Sequence, residues 1–318
     1  MTNYRFFYHI VALLVASIWG STFISTKLLL LAGMTAAQIF VLRFAIAYVL
    51  LLVYSIYKRG RLFAASWRHE LLMMALGVVG GSLYFLTENS AMNYTTTTNT
   101  SIIVSLCPLF ASALIGAVYK SQRLNRVQTL GTVMAAAGVV VVVMNGRFVL
   151  HLSPLGDALA FMACLCWAVY SLLMIPATKR YNTIFITRKV FFYGLVSMIP
   201  YFMVYPGLGV DIVISQPKLL ANLLFLGCIA SMACFLAWNW VLKKLGALIC
   251  TNYVYFNPVV TVIFAWAILS EQITLYFVLG TAFILTGMYL AEKHHSHQSK
   301  SHLRIFSILM QFFIKISI

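Results

Sequence analysis

Apolar stretches as long as a membrane-spanning helix, separated by short polar connections, run along nearly the whole chain. A helix needs about 20 apolar residues to cross a bilayer, and the hydrocarbon core offers an open backbone no hydrogen-bond partner. The pattern therefore predicts an all-α integral membrane protein with ten transmembrane helices. We place these spans near residues 8–31, 35–57, 69–92, 95–118, 125–145, 153–177, 183–206, 218–241, 247–269 and 274–291.

The composition agrees with a membrane domain and excludes an ordinary water-soluble protein. Of the 318 residues, 62% are hydrophobic and 9% are charged, whereas charged residues make up about 25% of a soluble domain. The six cysteines all lie inside apolar stretches. We therefore predict that they pack as small side chains and do not form the disulfide framework of a secreted protein.

The formal net charge is +16, and its meaning depends on where the basic residues lie. Of the 22 lysines and arginines, 18 fall in the two tails or near the connections that follow even-numbered spans, and only Arg147 and Lys218 fall on the other side. Lysine and arginine are enriched in cytoplasmic loops. We predict that both termini are cytoplasmic, that the protein is in the cell (inner) membrane, and that no nucleic acid is a partner.

The chain contains an internal duplication with an offset of about 150 residues, at which Asn89 matches Asn239 and Pro108 matches Pro258. Each half holds five predicted spans, an odd number, so the second half must enter the membrane from the opposite face. The predicted segments are a first repeat, 1–148, a second repeat, 149–292, and a cytoplasmic tail, 293–318. Two inverted five-helix repeats with a site between them are typical of secondary transporters.

Small and polar residues recur at helical spacing in the third span. Gly77, Gly81, Tyr84 and Glu88 fall at i, i+4, i+7 and i+11, which places them on one face of a continuous helix. We predict that such faces line a cavity, and the alternative is close packing of helices through small residues. The candidate substrate-binding residues are Trp19, Tyr84, Asn89, Ser101, Ser105, Trp167, Tyr170, Trp238, Asn239, Asn252, Tyr255 and Asn257.

Two prolines and four glycines suggest different roles for other spans. Pro108 and Pro258 lie in the middle of spans four and nine, where a proline removes a backbone N–H and is expected to kink the helix. The kink is either a functional feature beside a cavity or a structural bend only. Spans five and ten carry small residues without polar neighbours, and we predict packing surfaces or a homodimer through these spans. These residues are Gly131, Gly138, Gly280 and Gly287.

Four charged residues, Lys27, Arg43, Glu88 and Asp157, lie within the predicted spans or close to their ends. Charges at membrane depth are costly, so they are candidates for ion coupling or for ion pairs. We predict that Glu88 pairs with Arg43 or Lys27, either as part of a transport site or as a staple between helices. A glutamate held by arginine stays ionised, whereas one in an apolar cavity can take up a proton near neutral pH.

Several short motifs together resemble one family of membrane proteins. They are Ile18 to Phe23 with Lys27 and Arg43-Phe44, Gly156-Asp157 with Trp167, Ala168 and Tyr170, Asn89 to Tyr94 with Pro108, and Pro258 with Glu271, Gln272 and Gly280. Over residues 8–292 the chain resembles the drug/metabolite transporter superfamily, in particular EamA-type permeases. The resemblance implies a ten-helix bundle in which spans three, four, eight and nine, with the openings of spans one and six, surround a central cavity, and it implies export of amino acids, other metabolites or drugs. Ser121 departs from the family pattern, which has a glutamate there like Glu271.

Three functions remain open. The first is a secondary transporter that exports small organic metabolites such as amino acids by alternating access, and the second is a lipid-carrier flippase. The third is a membrane receptor or assembly component without transport. The sequence has no motif for hydrolysis, phosphate binding or dinucleotide binding. We therefore predict no enzyme, no cofactor and no metal, with a small-molecule substrate and the lipid bilayer as partners.

Overall fold

The computed structural model describes residues 2–95, 97–144, 153–269 and 275–292. These residues form sixteen α-helices, and no β-strand occurs within those ranges. The expectations for Arg147, Glu271 and the tail 293–318 concern residues outside the described part of the chain.

The helices follow the predicted apolar stretches, but some stretches are divided into two. In the first half they are α1 (Thr2–Leu31), α2 (Ala36–Tyr57), α3 (Trp67–Gly77), α4 (Tyr84–Tyr94), α5 (Thr97–Val104), α6 (Cys107–Val118) and α7 (Arg126–Met144). In the second half they are α8 (Pro154–Arg180), α9 (Thr183–Val196), α10 (Ile199–Val204), α11 (Val210–Ile214), α12 (Pro217–Leu224), α13 (Cys234–Leu245), α14 (Ala247–Asn252), α15 (Asn257–Leu269) and α16 (Leu275–Glu292).

Within the described residues, six helical stretches are long and apolar enough to cross a membrane. They are Phe6–Leu31, Ala36–Tyr57, Trp67–Tyr94, Pro154–Arg180, Thr183–Val204 and Pro217–Leu245. The apolar helices Cys107–Val118, Arg126–Val141 and Val278–Ala291 are shorter. The all-α membrane fold is therefore confirmed, whereas the count of ten crossings stays a prediction.

Local sequence signals explain where several helices begin. Thr35 and Gln38 form a capping box at the start of α2, each side chain bonding to the other's backbone N–H. Ser153 accepts a hydrogen bond from the N–H of Gly156 at the start of α8, and Asn182 does the same for Phe185 at the start of α9.

The two halves share irregularities at corresponding places, which supports the duplication. A π-helical segment, Val78–Leu83, joins α3 to α4, and a second one, Phe225–Ala233, joins α12 to α13. The fourth stretch breaks between α5 and α6, and the ninth passes through a 3₁₀ turn, Tyr253–Phe256, between α14 and α15. The same departures from a straight helix therefore recur in both halves.

Pro108 and Pro258 each lie at the second position of a helix, α6 or α15, and not inside a continuous one. The first turn of a helix tolerates proline because its N–H has no intrahelical partner there. The expected mid-span kinks thus take the form of interruptions just before each proline.

Contacts between the halves have counterparts in which the two halves have changed places. In the duplication, α1 corresponds to α8, α4 to α13 and α6 to α15. Accordingly, α4 packs against α8 as α1 packs against α13, and α6 packs against α8 as α1 packs against α15. Helix α3 and the first π-helical segment pack against α9, as α12 and the second π-helical segment pack against α2. A two-fold relation between two like halves produces this pattern.

The glycines of spans five and ten face each other within one chain, because α7 packs along α16. A Cβ added at Gly287 would lie 2.5 Å from the carbonyl oxygen of Gly131, and one at Gly138 would lie 2.7 Å from that of Gly280. A homodimer through these helices would have to use their other faces.

Candidate functional site

Aromatic side chains from both halves meet at the centre of the bundle. The rings of Trp19 and Trp167, which occupy corresponding positions in the two halves, lie 5.3 Å apart and edge to face. Trp238 packs on Trp19 at 4.9 Å, while Tyr84 and Tyr170 each lie 5.3 Å from Trp167. Edge-on and tilted arrangements at these distances are favourable for aromatic pairs. We call these five residues the aromatic cluster.

A cavity of about 30 Å³ adjoins the aromatic cluster. Its lining residues are Trp19, Thr22, Phe23, Arg43, Tyr84, Phe85, Glu88, Val104, Cys107, Trp167, Phe235, Val254 and Asn257. A single water molecule needs roughly 10–15 Å³ on this measure, so the described conformation has room for a few waters at most. A ligand larger than a few waters would fit only if lining side chains moved apart.

Two side chains of opposite charge line this cavity, and both are buried, Arg43 at 2% exposure and Glu88 at 8%. The Nε atom of Arg43 donates to the Ser231 hydroxyl at 2.9 Å, and its guanidinium lies 4.4 Å from the centre of the Phe85 ring. The Tyr84 hydroxyl donates to Glu88 at 2.7 Å. Arg43 and Glu88 therefore have polar partners of their own and form no ion pair within 4.0 Å of each other.

The π-helical segment of the second half receives hydrogen bonds from the first half. Besides the bond from Arg43 to Ser231, the indole N–H of Trp19 donates to the carbonyl of Ala230 at 3.0 Å. π-Helical turns are frequent at functional sites. Here the segment links two cavity-lining side chains to the opposite repeat.

The two duplicated asparagines have different surroundings. Asn239 accepts a hydrogen bond from Tyr170 at 3.0 Å and donates one to Thr187 at 2.9 Å. Asn89 is 1% exposed, and neither of its amide atoms has a hydrogen-bond partner among the described residues. Of this matched pair, only Asn239 is therefore hydrogen-bonded among the described residues.

The predicted substrate-binding residues fall into three groups according to their position relative to the cavity. Of the predicted set, Trp19, Tyr84, Trp167 and Asn257 line it, and Tyr170, Trp238 and Asn239 pack behind that layer. The others are buried but are not part of the lining: Asn89, Ser101, Ser105, Asn252 and Tyr255.

Three cavity-side polar atoms stand out because they are buried without a hydrogen-bond partner in the described part of the chain. These are the indole N–H of Trp167, the amide oxygen of Asn257 and, behind the lining, the indole N–H of Trp238. Buried polar groups in folded proteins are nearly always hydrogen-bonded. The site therefore offers donors and an acceptor that a polar ligand could satisfy.

The other two intramembrane charges are engaged outside the cavity lining. The Lys27 ammonium donates to the carbonyl of Met92 at 2.7 Å. Asp157 accepts a hydrogen bond from the backbone N–H of Ser153 at 3.2 Å, in the first turn of α8. A carboxylate is favourable at this end of a helix because it meets free backbone N–H groups.

The predicted common face of the third span is divided by the π-helical segment. A Cβ at Gly77 would lie 2.6 Å from that of Tyr193, and one at Gly81 would lie 3.5 Å from the Cα of Gly194, so both glycines pack against α9. Tyr84 and Glu88 line the cavity instead. The extra residue of a π-helical turn shifts the register that a continuous α-helix would keep.

Sequence reasoning missed several lining residues. Thr22 and Phe23 lie one helical turn beyond Trp19, and Phe85 follows Tyr84 directly, so helical spacing from the predicted residues could have found them. The other missed residues are Val104, Cys107, Phe235 and Val254. Their apolar types gave no signal that separates lining from core.

The chain matches the EamA-like transporter family twice, over residues 6–144 and over residues 154–292. An "Uncharacterized transporter" of Archaeoglobus fulgidus is 29% identical over 90% of this chain and 98% of its own length. A "Probable amino-acid metabolite efflux pump" of Escherichia coli is 23% identical over 88% of this chain and 93% of its own length. A crystal structure with 16% identity superposes with a TM-score of 0.68 and covers 94% of this chain and all of the other.

Proposed function

Because the chain belongs to the EamA-like transporter family, we propose that it is a secondary transporter that exports small organic metabolites, with amino acids as the leading class. The printed name of the Escherichia coli relative, an amino-acid metabolite efflux pump, supports this class of substrate. The direction of transport is part of the proposal.

The observation that carries the proposal is the pair of buried, oppositely charged side chains on one central cavity, Arg43 and Glu88. A guanidinium binds carboxylates with paired hydrogen bonds, and a carboxylate binds ammonium groups. A zwitterionic amino acid presents both groups, while the aromatic cluster would contact its side chain. The unpartnered polar atoms of Trp167 and Asn257 support a polar ligand at the same place.

Transport by alternating access requires the cavity to open to each side in turn. The cavity of about 30 Å³ is too small for an amino acid, so we assign the described conformation to a closed state. The interruptions before Pro108 and Pro258 and the two π-helical segments are candidate hinges, since interrupted helices bend at a lower cost than continuous ones.

Counterflow of labelled amino acids in proteoliposomes tests the proposal. We expect Arg43→Gln and Glu88→Gln each to lower the flux at least tenfold at substrate concentrations below KM, as the loss of about 1.4 kcal/mol of binding would. The matched controls are Arg126→Gln and Asp211→Asn, which remove a charge at exposed positions away from the cavity. Arg43→Lys keeps the cation and should retain more flux than Arg43→Gln.

A panel of substrates separates recognition of the two charged groups. If Arg43 holds the carboxylate, its loss should raise the KM for amino acids more than the KM for amines that lack a carboxylate. If Glu88 holds the ammonium group, Glu88→Gln should raise the KM for amino acids more than the KM for carboxylates that lack an amino group. Unchanged flux in both variants, or no flux for any amino acid with the folded parent protein, would contradict the proposal.

A further inference from the structure

A second and larger cavity, of about 430 Å³, lies where α2 ends and where α8 meets α9. Among the residues that line it are Tyr54, Lys58, Arg61, Arg180, Asn182 and Phe185. We call this cavity the basic pocket. It is distinct from the central cavity, because the two share no lining residue.

The wall of the basic pocket carries three cations, Lys58, Arg61 and Arg180, and no acidic side chain of the described residues lines it. A fourth cation, Arg188, lies behind this wall at 2% exposure. Its Nη2 atom donates to the carbonyls of Arg61, at 2.7 Å, and Leu62, at 3.0 Å, whereas its Nη1 atom has no hydrogen-bond partner in the described ranges.

Glu70, a carboxylate near Arg188, is already used by other groups. Glu70 binds the Lys189 ammonium at 2.7 Å, the Tyr193 hydroxyl at 2.9 Å and the backbone N–H of Ala64 at 2.8 Å. Glu70 is therefore paired with Lys189. None of Lys58, Arg61 and Arg180 forms a salt bridge among the described residues, although Arg180 contacts the imidazole of His69. Like charges held together without compensation favour an anionic ligand.

The backbone at both edges of the pocket adds to this preference. Helix α9 begins at the pocket, with Asn182 as its cap and Phe185 in its first turn, and the start of a helix carries a partial positive charge. At the other edge α2 ends in a left-handed turn at Arg59, with φ of 49°, closed by a bond from the N–H of Gly60 to the carbonyl of Ser55. This turn brings Lys58 and Arg61 to the same pocket.

We infer that the basic pocket binds a phosphate-bearing anion, supplied either by the headgroup of an anionic phospholipid or by a soluble phosphate ester. Arginine guanidinium groups match phosphate oxygens with paired hydrogen bonds. Basic pockets between transmembrane helices bind lipid headgroups on this principle. Exposed apolar side chains next to the pocket, Val53, Ile56 and Tyr57, provide a surface along which acyl chains could lie.

The test uses the purified full-length protein in detergent and measures binding by native mass spectrometry and by the shift in melting temperature. The probes are phosphatidylglycerol, phosphatidylcholine as the zwitterionic control, and inorganic phosphate. The test variant is Lys58→Gln/Arg61→Gln, whose side chains are exposed, so its folding can be checked by the melting temperature without any probe. The matched control is Lys120→Gln/Arg126→Gln, which removes two exposed cations from another basic segment.

We expect phosphatidylglycerol to bind in preference to phosphatidylcholine, and the test variant to bind it at least tenfold more weakly, while the control variant binds as the parent does. A melting-temperature increase with inorganic phosphate, lost in the test variant and without any preference for phosphatidylglycerol, would instead identify a soluble phosphate ester as the ligand. Absence of both effects, or equal weakening in test and control variants, would overturn the inference.

Discussion

Single side chains in this bundle differ sharply in how closely they are packed. Gly80 lies in the first π-helical segment and directly faces Tyr170 of α8, so that a Cβ at this position would lie 2.1 Å from the tyrosine ring. At Gly116 the nearest atom, from Arg123, would be 3.5 Å away, which is ordinary contact. The contact at Gly80 joins the first half to a second-half member of the aromatic cluster.

We predict that Gly80→Ala destabilises the protein by about 1–3 kcal/mol, because the added methyl group overpacks a site with no free volume. Unfolding in mixed detergent micelles measures the change in free energy. Gly116→Ala is the control and should stay within about 0.5 kcal/mol of the parent, as a substitution outside close contacts does. In a Tyr170→Ala background the Gly80 substitution should cost less, and an equal cost in both backgrounds would show that the ring is not the cause.

At the scale of helical elements, the π-helical segment between α3 and α4 decides which side chains of the third span face the cavity. The segment Val78–Leu83 separates Gly77, which packs against α9, from Tyr84 and Glu88, which line the cavity. In an α-helix each residue turns the face by about 100°. One residue more or less within this segment therefore reorients every side chain that follows.

Deleting Val79 tests the role of this segment. We expect Tyr84 and Glu88 to rotate out of the cavity by about 100°, and substrate counterflow to fall at least as far as in Glu88→Gln. The control restores the residue count by inserting one alanine after Leu83 in the same variant, and it should recover most of the flux. Full flux in the deletion alone would mean that the register of α4 does not position the site.

At the scale of the whole molecule, the two halves interlock, and most of the long helices of one half have their main partners in the other. The ion pair of Lys189 with Glu70, between α9 and α3, lies at the same end of the bundle as the basic pocket. Because lysine and arginine are enriched on the cytoplasmic side, we propose that this end and both termini face the cytoplasm.

Three serine-to-cysteine variants test this orientation in a background without the native cysteines. Ser66 and Ser121 lie in basic connections, and Ser215 lies between α11 and α12; all three are exposed. With an impermeant maleimide, we expect labelling of Ser215→Cys in intact cells and of Ser66→Cys and Ser121→Cys only after lysis. Labelling of Ser66→Cys and Ser215→Cys from the same face would contradict the proposed topology.

The sequence by itself determined the membrane fold, the family and the duplicated plan of the chain. Partition of apolar stretches into lipid is a local property, so hydropathy identified the helices, and matched pairs such as Pro108 and Pro258 indicated the duplication. It also placed Tyr84, Glu88 and Asn257 among the candidates for a central site. The resemblance to EamA-type permeases was confirmed by the match over both halves.

Only the tertiary structure decided which of these candidates share a cavity. Asn89 and Asn239 are equivalent in sequence, yet one is bonded to Tyr170 and Thr187 and the other has no partner in the described part of the chain. The face that a side chain presents depends on helix register and on the opposite half, and both arise from contacts far apart along the chain. The basic pocket has the same origin, because Arg61 and Arg180 come together only when α2 packs beside the junction of α8 and α9.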